Sequence, residues 1–455
     1  MQPVKNSNKP ERNSTPEGGR LRTHLFKGAA GSFVLQVGFA GFAFLNAIIL
    51  ARVLGADGYG AFANAMAWVS LLTIPATFGF GILLVRDTAI YRSQEKWELL
   101  KGLLRFANRI VFVLSVVLAL IAAAVAGWLF SLPTQATMRH TVWIALVLLP
   151  LFALYNLREA ATRGLEHVIL ARLPGMFIRP GLLLAGIVGI YYVWPNQLNV
   201  PMAMVVNVCA GMVTLAMGIV FLRKLLPAEA KAASPEYTPS IWLQSAFPML
   251  VYGGAQIILG QTDIVMLGAM RGAEDVGLYA AANRLAFLLV YAIYASEVIL
   301  APIISRMYTN GDRARLQNIM SKAVNISFIA ILPFGMVLVF FGTYILRIFG
   351  DEFMTASTTL AILAVGHLVE VGLGSSALLL GMAGFERIMA MTFSIISLLN
   401  IVLNYFLIHV YGINGAAIAS IVSLILAKLF FTLYAAKQNQ IYTMIFSNIL
   451  KGFFK

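Results

Sequence analysis

Leu54 to Ala65 read LGADGYGAFANA, and Arg271 to Ala282 read RGAEDVGLYAAA. Set 217 residues apart (272 − 55), they place Gly55 on Gly272, Ala56 on Ala273, Asp57 on Glu274, Gly60 on Gly277, Phe62 on Tyr279 and Ala63 on Ala280. Short glycine-rich turns are common, so one such match is modest evidence. A second echo strengthens it: GLEHVILARL starts at Gly164 and GFERIMAMTF at Gly384, a spacing of 220 residues (384 − 164). A duplication with small changes in loop length accounts for both.

The runs around these stretches are apolar. Of the 455 residues, 60% are hydrophobic and 11% charged, and the mean hydropathy is +0.83. Such values belong to a membrane protein. The runs are continuous rather than alternating, which selects helices over a β-barrel. Twelve spans are predicted, at roughly 28–51, 60–85, 106–130, 141–157, 173–194, 199–222, 243–268, 277–305, 323–349, 354–382, 388–410 and 413–436. The fold class expected is all-α and integral to the membrane, with two six-helix lobes. Six is an even number, so both lobes enter from the same side and the repeats are parallel.

The division expected is a polar, disordered tail over 1–27, an N-lobe over 28–222, a linker over 223–242, a C-lobe over 243–436 and a tail over 437–455. Residues 1–27 lack the apolar core of a signal peptide. With the N-terminus inside, 26 of the 33 Lys and Arg residues fall on one side, and only Arg52, Arg139, Arg271 and Arg347 on the other. This bias places both termini in the cytoplasm of a multi-pass protein. It also explains the net charge of +14 without nucleic acid. A single cysteine, Cys209, excludes an intramolecular disulfide.

Ionisable groups inside spans are costly and are candidates for function. Asp263 stands 217 residues after Asn46, so both copies carry a polar group at the same depth of their first helix. Arg284 lies at a depth similar to Asp263 on the next helix, and the two suit either a structural ion pair or an anion ligand at Arg284 with Asp263 as its counter-ion or a cation site. Glu297 and Glu370 could exchange H⁺ or Na⁺, and pairing of either with Lys428 is an equal alternative. His367 shares a helical face with Glu370, but with no second histidine nearby a metal site is not expected. Arg86, Arg158 and Arg179 gather towards the basic side. Positive-inside anchoring suffices for Arg86 and Arg158, whereas Arg179, beside Pro180, sits deeper and suits a phosphate-bearing cargo.

The stretches ARVLGADGYGAFANAMA from Ala51, FGFGILLVRDTA from Phe78, TDIVMLGAMRGAEDVGLYAAANRLA from Thr262, GMAGFERIM from Gly381, and LNIVLNYFLI with YGINGAAIAS up to Ser420 carry a resemblance. The chain resembles the polysaccharide transporters, O-antigen flippases among them, of the multidrug/oligosaccharidyl-lipid/polysaccharide superfamily. That resemblance implies a V-shaped cavity between lobes, as in the related multidrug transporters, and alternating access. It implies movement of an undecaprenyl-pyrophosphate-linked oligosaccharide from the cytoplasmic to the outer leaflet of a bacterial inner membrane. The resemblance also implies a cationic lumen, for which Arg86, Arg179 and Arg284 are the matching residues, and it carries over no specific cation site. From the residues themselves, Arg158 joins the substrate-binding candidates, and Asp263, Glu297, Glu370 and Asn46 are the candidate coupling or counter-ion groups. No cofactor is implied beyond a coupling ion, H⁺ or Na⁺. The partners implied are the bilayer, the lipid-linked glycan and other proteins of polysaccharide assembly. A cation-coupled multidrug exporter is the nearest alternative, favouring acidic, aromatic-lined cavities. A membrane glycan ligase or polymerase is the enzymatic one, and it needs a larger extramembrane catalytic loop than the short outer loops here supply.

Overall fold

The computed structural model describes residues 16–129, 136–194, 198–439 and 441–445. Helices dominate, and no strand occurs among the described residues. Nine described segments are long and apolar enough to cross a bilayer: 38–77, 97–128, 138–164, 168–193, 200–225, 239–270, 313–346, 351–373 and 386–438.

Nine differs from the twelve expected for physical reasons that are visible in the backbone. Helix α1, Pro16–Thr77, would be about 90 Å long if straight, roughly three times a hydrocarbon core. It is interrupted at Gly55, whose φ of 70° and ψ of 179° leave the helical region. Helix α16, Glu386–Asn439, is broken in the same manner at Gly412, with φ 56° and ψ −130°. The expected span 60–85 turns between α1 and α2, Phe80–Ser93, where Phe78 and Gly79 both have positive φ. The expected span 277–305 is divided between α11, Ala273–Ala286, and α12, Leu288–Thr309, which meet at Phe287.

The remaining helices follow the predicted runs. They are α3, Trp97–Leu129; α4 and α5, Ala136–Leu146 and Leu148–Gly164; α6 and α7, Val168–Leu173 and Arg179–Val193, joined by a π-helical turn that starts at Pro174; and α8, Val200–Leu225. After the linker come α10, Pro239–Met270; α13, Arg313–Leu346; α14, Ser357–Leu373; and α15, Ser376–Met382. One expected boundary differs. Residues 16–27, expected in the disordered tail, are helical and continue into the first span, with Pro16 in the first turn, where its missing N–H costs nothing. Residues 1–15 lie outside the described residues. In the linker, the short α9, Ala228–Ala232, is strapped to α3: Lys101 Nζ donates to the carbonyls of Lys231 (2.5 Å) and Ala233 (2.7 Å).

Two cores join the lobes. One lies at the Gly55 end and mixes Ala51, Ala56, Tyr59 and Leu267 with Val276, Phe349, Phe353 and Leu360. The other lies towards the basic end, where Trp242 and Ala246 of α10 pack among Phe80, Leu84, Leu103 and Ala107. Trp242 Nε1 also donates to the Tyr91 hydroxyl at 3.0 Å. Two further cores, around Ile304 with Phe431 and around Leu289 with Leu338, belong to the C-lobe alone.

Candidate functional site

The repeated stretches meet each other. Gly55 and Gly272 adopt matching conformations, with φ 70° and 104° and ψ 179° and −178°, a left-handed region open chiefly to glycine. The helices that follow them cross with their backbones touching. A Cβ on Gly60 would lie 1.7 Å from the carbonyl oxygen of Ala273, and a Cβ on Gly277 would lie 2.0 Å from that of Ala56. These contacts are reciprocal under the 217-residue repeat. Side chains reinforce the junction: Asn64 Nδ2 donates to the Ile264 carbonyl (3.0 Å), and Arg52 Nε to that of Ile348 (2.7 Å). The amide of Ala56, at a helix N-terminus, donates to Glu352 Oε1 of the opposite lobe at 2.7 Å. The Gly55 end is thereby closed between the lobes.

The two matched polar positions both turn inward. Asn46 Nδ2 donates to the carbonyls of Phe42 (2.8 Å) and Pro180 (2.9 Å), inside the N-lobe. Asp263 accepts from the Tyr279 hydroxyl, from Ser420 Oγ (3.2 Å) and from the Ile264 amide (2.9 Å), inside the C-lobe. The suggested ion pair between Asp263 and Arg284 does not form. Tyr279 and Arg284 are five residues apart on α11, about 140° around the helix, so only one can face Asp263. Arg284 points the other way, is exposed, and hydrogen-bonds Tyr59 of the N-lobe.

Arg284 heads a stripe at helical spacing. Phe287, Tyr291 and Tyr294 follow it, with ring centroids 5.6 Å apart for Phe287 and Tyr291 and 6.3 Å for Phe287 and Tyr294. The stripe ends at Glu297, and there the structure gathers a charged network from three helices. His367 Nδ1 and Glu370 Oε2 are 2.9 Å apart, and Lys428 Nζ lies 3.6 Å from Glu370 Oε1 and 3.5 Å from the Gly374 carbonyl. Glu297 hydrogen-bonds Ser375 beside them. Lys428 pairs with Glu370. Ser375 and Gly374 form the break between α14 and α15, where Gly374 has φ 77°. Residues 441–445 return to buttress that break: Ile445 N donates to the Gly372 carbonyl (2.8 Å) and Thr443 Oγ1 to that of Leu373 (3.1 Å). Among the described residues no group of three or more potential ligands is arranged to hold a metal ion.

The basic residues on the other side do not form one cluster. Arg86, half-exposed, pairs with its neighbour Asp87 at 2.7 Å. Arg158 turns into the N-lobe, bonding Asn108 and the Leu154 carbonyl (3.0 Å). Arg179 Cζ rests 4.2 Å above the Phe152 ring, a desolvated cation–π contact. Sequence reasoning did not bring together a more suggestive group, centred on Glu159. Glu159 Oε1 is approached by Arg163 (3.7 Å) and Arg172 (4.0 Å), and both guanidinium Nε atoms are buried without a hydrogen-bond partner. Asn156, Glu159 and Arg163 face Met249, Leu250 and Gly253 of α10 across a pocket of about 230 Å³ between the lobes. The signal was the i, i+3, i+7 spacing of Asn156, Glu159 and Arg163 on one helical face.

Comparisons with known proteins agree with this architecture. Residues 25–308 match the model of the polysaccharide biosynthesis protein family, and residues 248–406 match the MatE model. The chain is 26% identical over 404 residues to the "Probable low-salt glycan biosynthesis flippase Agl15" of Haloferax volcanii, covering 86% of this chain and 79% of that protein. Among solved structures it is similar to "Lipid II flippase MurJ, inward closed conformation" (TM-score 0.70, 15% identity, 90% of this chain and 87% of that one). It is also similar to an inward-facing multidrug resistance MATE family transporter (TM-score 0.69, 13% identity, 89% and 98%). With the family model spanning more than half its length, the chain belongs to the polysaccharide biosynthesis protein family, and it is a multi-pass membrane transporter of the multidrug/oligosaccharidyl-lipid/polysaccharide superfamily rather than an enzyme.

Proposed function

We propose that the protein is a flippase for an undecaprenyl-pyrophosphate-linked oligosaccharide, carried from the cytoplasmic to the outer leaflet of a bacterial inner membrane. Both termini lie in the cytoplasm, so the Gly55 end faces out. Lobes 28–222 and 243–436 alternate by opening and closing the junction at the crossing of Gly60 and Gly277. The observation that carries this reading is the stripe from Arg284 through Phe287, Tyr291 and Tyr294, facing Tyr59 of the opposite lobe. A guanidinium suits pyrophosphate, and aromatic faces suit the apolar faces of sugar rings. The naming of the archaeal relative as a glycan biosynthesis flippase supports the same reading.

Arg163 and Arg172, held by Glu159 at the cytoplasmic mouth, supply the first cationic contacts, and Arg179 and Arg284 the later ones. A pyrophosphate leaving a negative-inside cell gains about 2.3 kcal/mol per charge per 100 mV if it crosses the full field. The network of Glu297, His367, Glu370 and Lys428 is the place for a coupling H⁺ or Na⁺. Other proteins of polysaccharide assembly meet the cargo before and after it.

The test is movement of a tagged lipid-pyrophosphate oligosaccharide in proteoliposomes at matched insertion. Wild type moves the lipid, and Arg284→Ala and Arg179→Ala lose most of that movement while remaining folded. Correctly inserted wild type that moves no such lipid under either an H⁺ or a Na⁺ gradient overturns the reading.

A further inference from the structure

Beyond the closed junction lies a second cavity, of about 860 Å³, at the same end of the molecule. The N-lobe contributes Arg52, Tyr191 and Tyr192 to it, and the C-lobe contributes Tyr344, Arg347, Asp351 and Glu352. Only four of the 33 basic residues were assigned to this side, and two of them, Arg52 and Arg347, converge here from different lobes. Such a volume is within the range of small-ligand sites.

The charges in the cavity are already matched. Arg52 is spent on the Ile348 carbonyl, Arg347 is paired with Asp351 at 2.8 Å, and Glu352 receives the Ala56 amide. Two guanidiniums and two carboxylates cancel, so the cavity has no excess charge for a phosphate. It offers planar hydrogen-bonding groups beside three tyrosine rings, of which Tyr192 and Tyr344 are 79% and 71% exposed. Tyrosines are also common at membrane–water interfaces. These line a cavity whose charged groups come from both lobes, Arg52 from one and the Arg347–Asp351 pair with Glu352 from the other.

We propose that this cavity is a glycan site on the exit side, binding the neutral, hydroxyl-rich part of the cargo once it has passed the junction. Tyrosine faces stack on sugar rings, and Asp351, Glu352 and the two arginines meet vicinal hydroxyls. The proposal rests on the flippase reading and adds to it a second place of recognition, specific for sugar and not for pyrophosphate. Because the walls come from both lobes, a bound glycan favours the state in which the junction is closed behind it.

The probe is the set of free oligosaccharides released by mild acid from the lipid-linked pool of the cells that make the protein. They are titrated into the purified full chain, with binding read by native mass spectrometry. Flipping of the unhydrolysed pool is measured in parallel in proteoliposomes. Wild type binds the released glycan saturably, and Tyr192→Ala/Tyr344→Ala binds it about tenfold more weakly while eluting as a monodisperse, helical protein. Asp351→Asn also weakens binding. Trp128→Ala, which removes an equally exposed ring outside the cavity, binds as wild type does. Wild type that flips the lipid-linked pool but binds the released glycan no better than the double variant overturns the exit site and leaves the flippase standing. Wild type that neither flips nor binds overturns both. An equal loss in Trp128→Ala overturns the assignment to this cavity.

Discussion

The two halves of the chain agree in backbone and differ in side-chain chemistry. At Gly55 and Gly272 the copies share a positive-φ glycine, and at Gly60 and Gly277 they make reciprocal contacts with each other's backbone. At Asn46 and Asp263 they do not: one copy uses a neutral amide bonded to backbone carbonyls, the other a carboxylate held by Tyr279 and Ser420. The charged networks diverge further. The N-lobe surrounds one carboxylate, Glu159, with two guanidiniums, whereas the C-lobe holds Glu297, Glu370 and His367 around a single Lys428. The copies thus agree at the crossing and differ in their interiors, with one carboxylate among guanidiniums in the first and two carboxylates and an imidazole around one lysine in the second.

That contrast can be broken by substitution, and the largest effect is expected in the C-lobe network. Lys428→Met leaves Glu370 buried without its cation, a loss of about 3–5 kcal/mol. It should lower the thermal midpoint of the purified protein substantially, and the double variant Glu370→Gln/Lys428→Met should recover most of the loss. A double variant as unstable as the single one would show that the pair does not act as a unit. The junction comes next. Gly60→Ala or Gly277→Ala forces a methyl group against a carbonyl oxygen and should cost the closed state about 1–3 kcal/mol, read as a fall in inter-lobe cross-linking. Equal effects at the two positions are expected from their reciprocal geometry, and an effect at only one would break the symmetry.

How much of this was legible beforehand depends on which coordinate is asked for. Hydropathy places the apolar runs, and repeated glycines mark where chains must turn, so the breaks at Gly55 and Gly272 follow from sequence. Depth along a helix is legible as well, which is why Asp263 and Arg284 looked like partners. Azimuth is not: Tyr279 and Arg284 share a helix but face different lobes, and only packing decides which one meets Asp263. Arg158, expected near the basic end of its helix, faces Asn108 inside its own lobe. The return of residues 441–445 to the α14/α15 break carries no periodic signal, since its contacts are hydrogen bonds to carbonyls that the break itself exposes.

Smaller effects sharpen the comparison. Asp263→Asn gives the C-lobe the amide of its counterpart. It keeps one acceptor for Tyr279 or Ser420 and should cost about 1 kcal/mol, seen as a modest drop in thermal midpoint. A drop as large as that of Lys428→Met would mean that the carboxylate is essential to the C-lobe rather than a local variation. The smallest expected change is at Glu352, whose carboxylate sits at the N-terminus of the helix beginning at Ala56. Glu352→Gln removes the charge and keeps an acceptor, and should weaken outer closure by about 0.5–1 kcal/mol, measured by cross-linking across the junction.

The central claim is that the two copies meet as a seal that must open in every transport cycle. The direct test replaces Cys209 with alanine, places cysteines at Ala56 and Ala273, and joins them with a short cleavable bismaleimide in proteoliposomes. The linked protein should stop flipping lipid-linked oligosaccharide, and cleavage of the linker should restore the rate. Fully linked protein that flips at the unlinked rate would contradict the account.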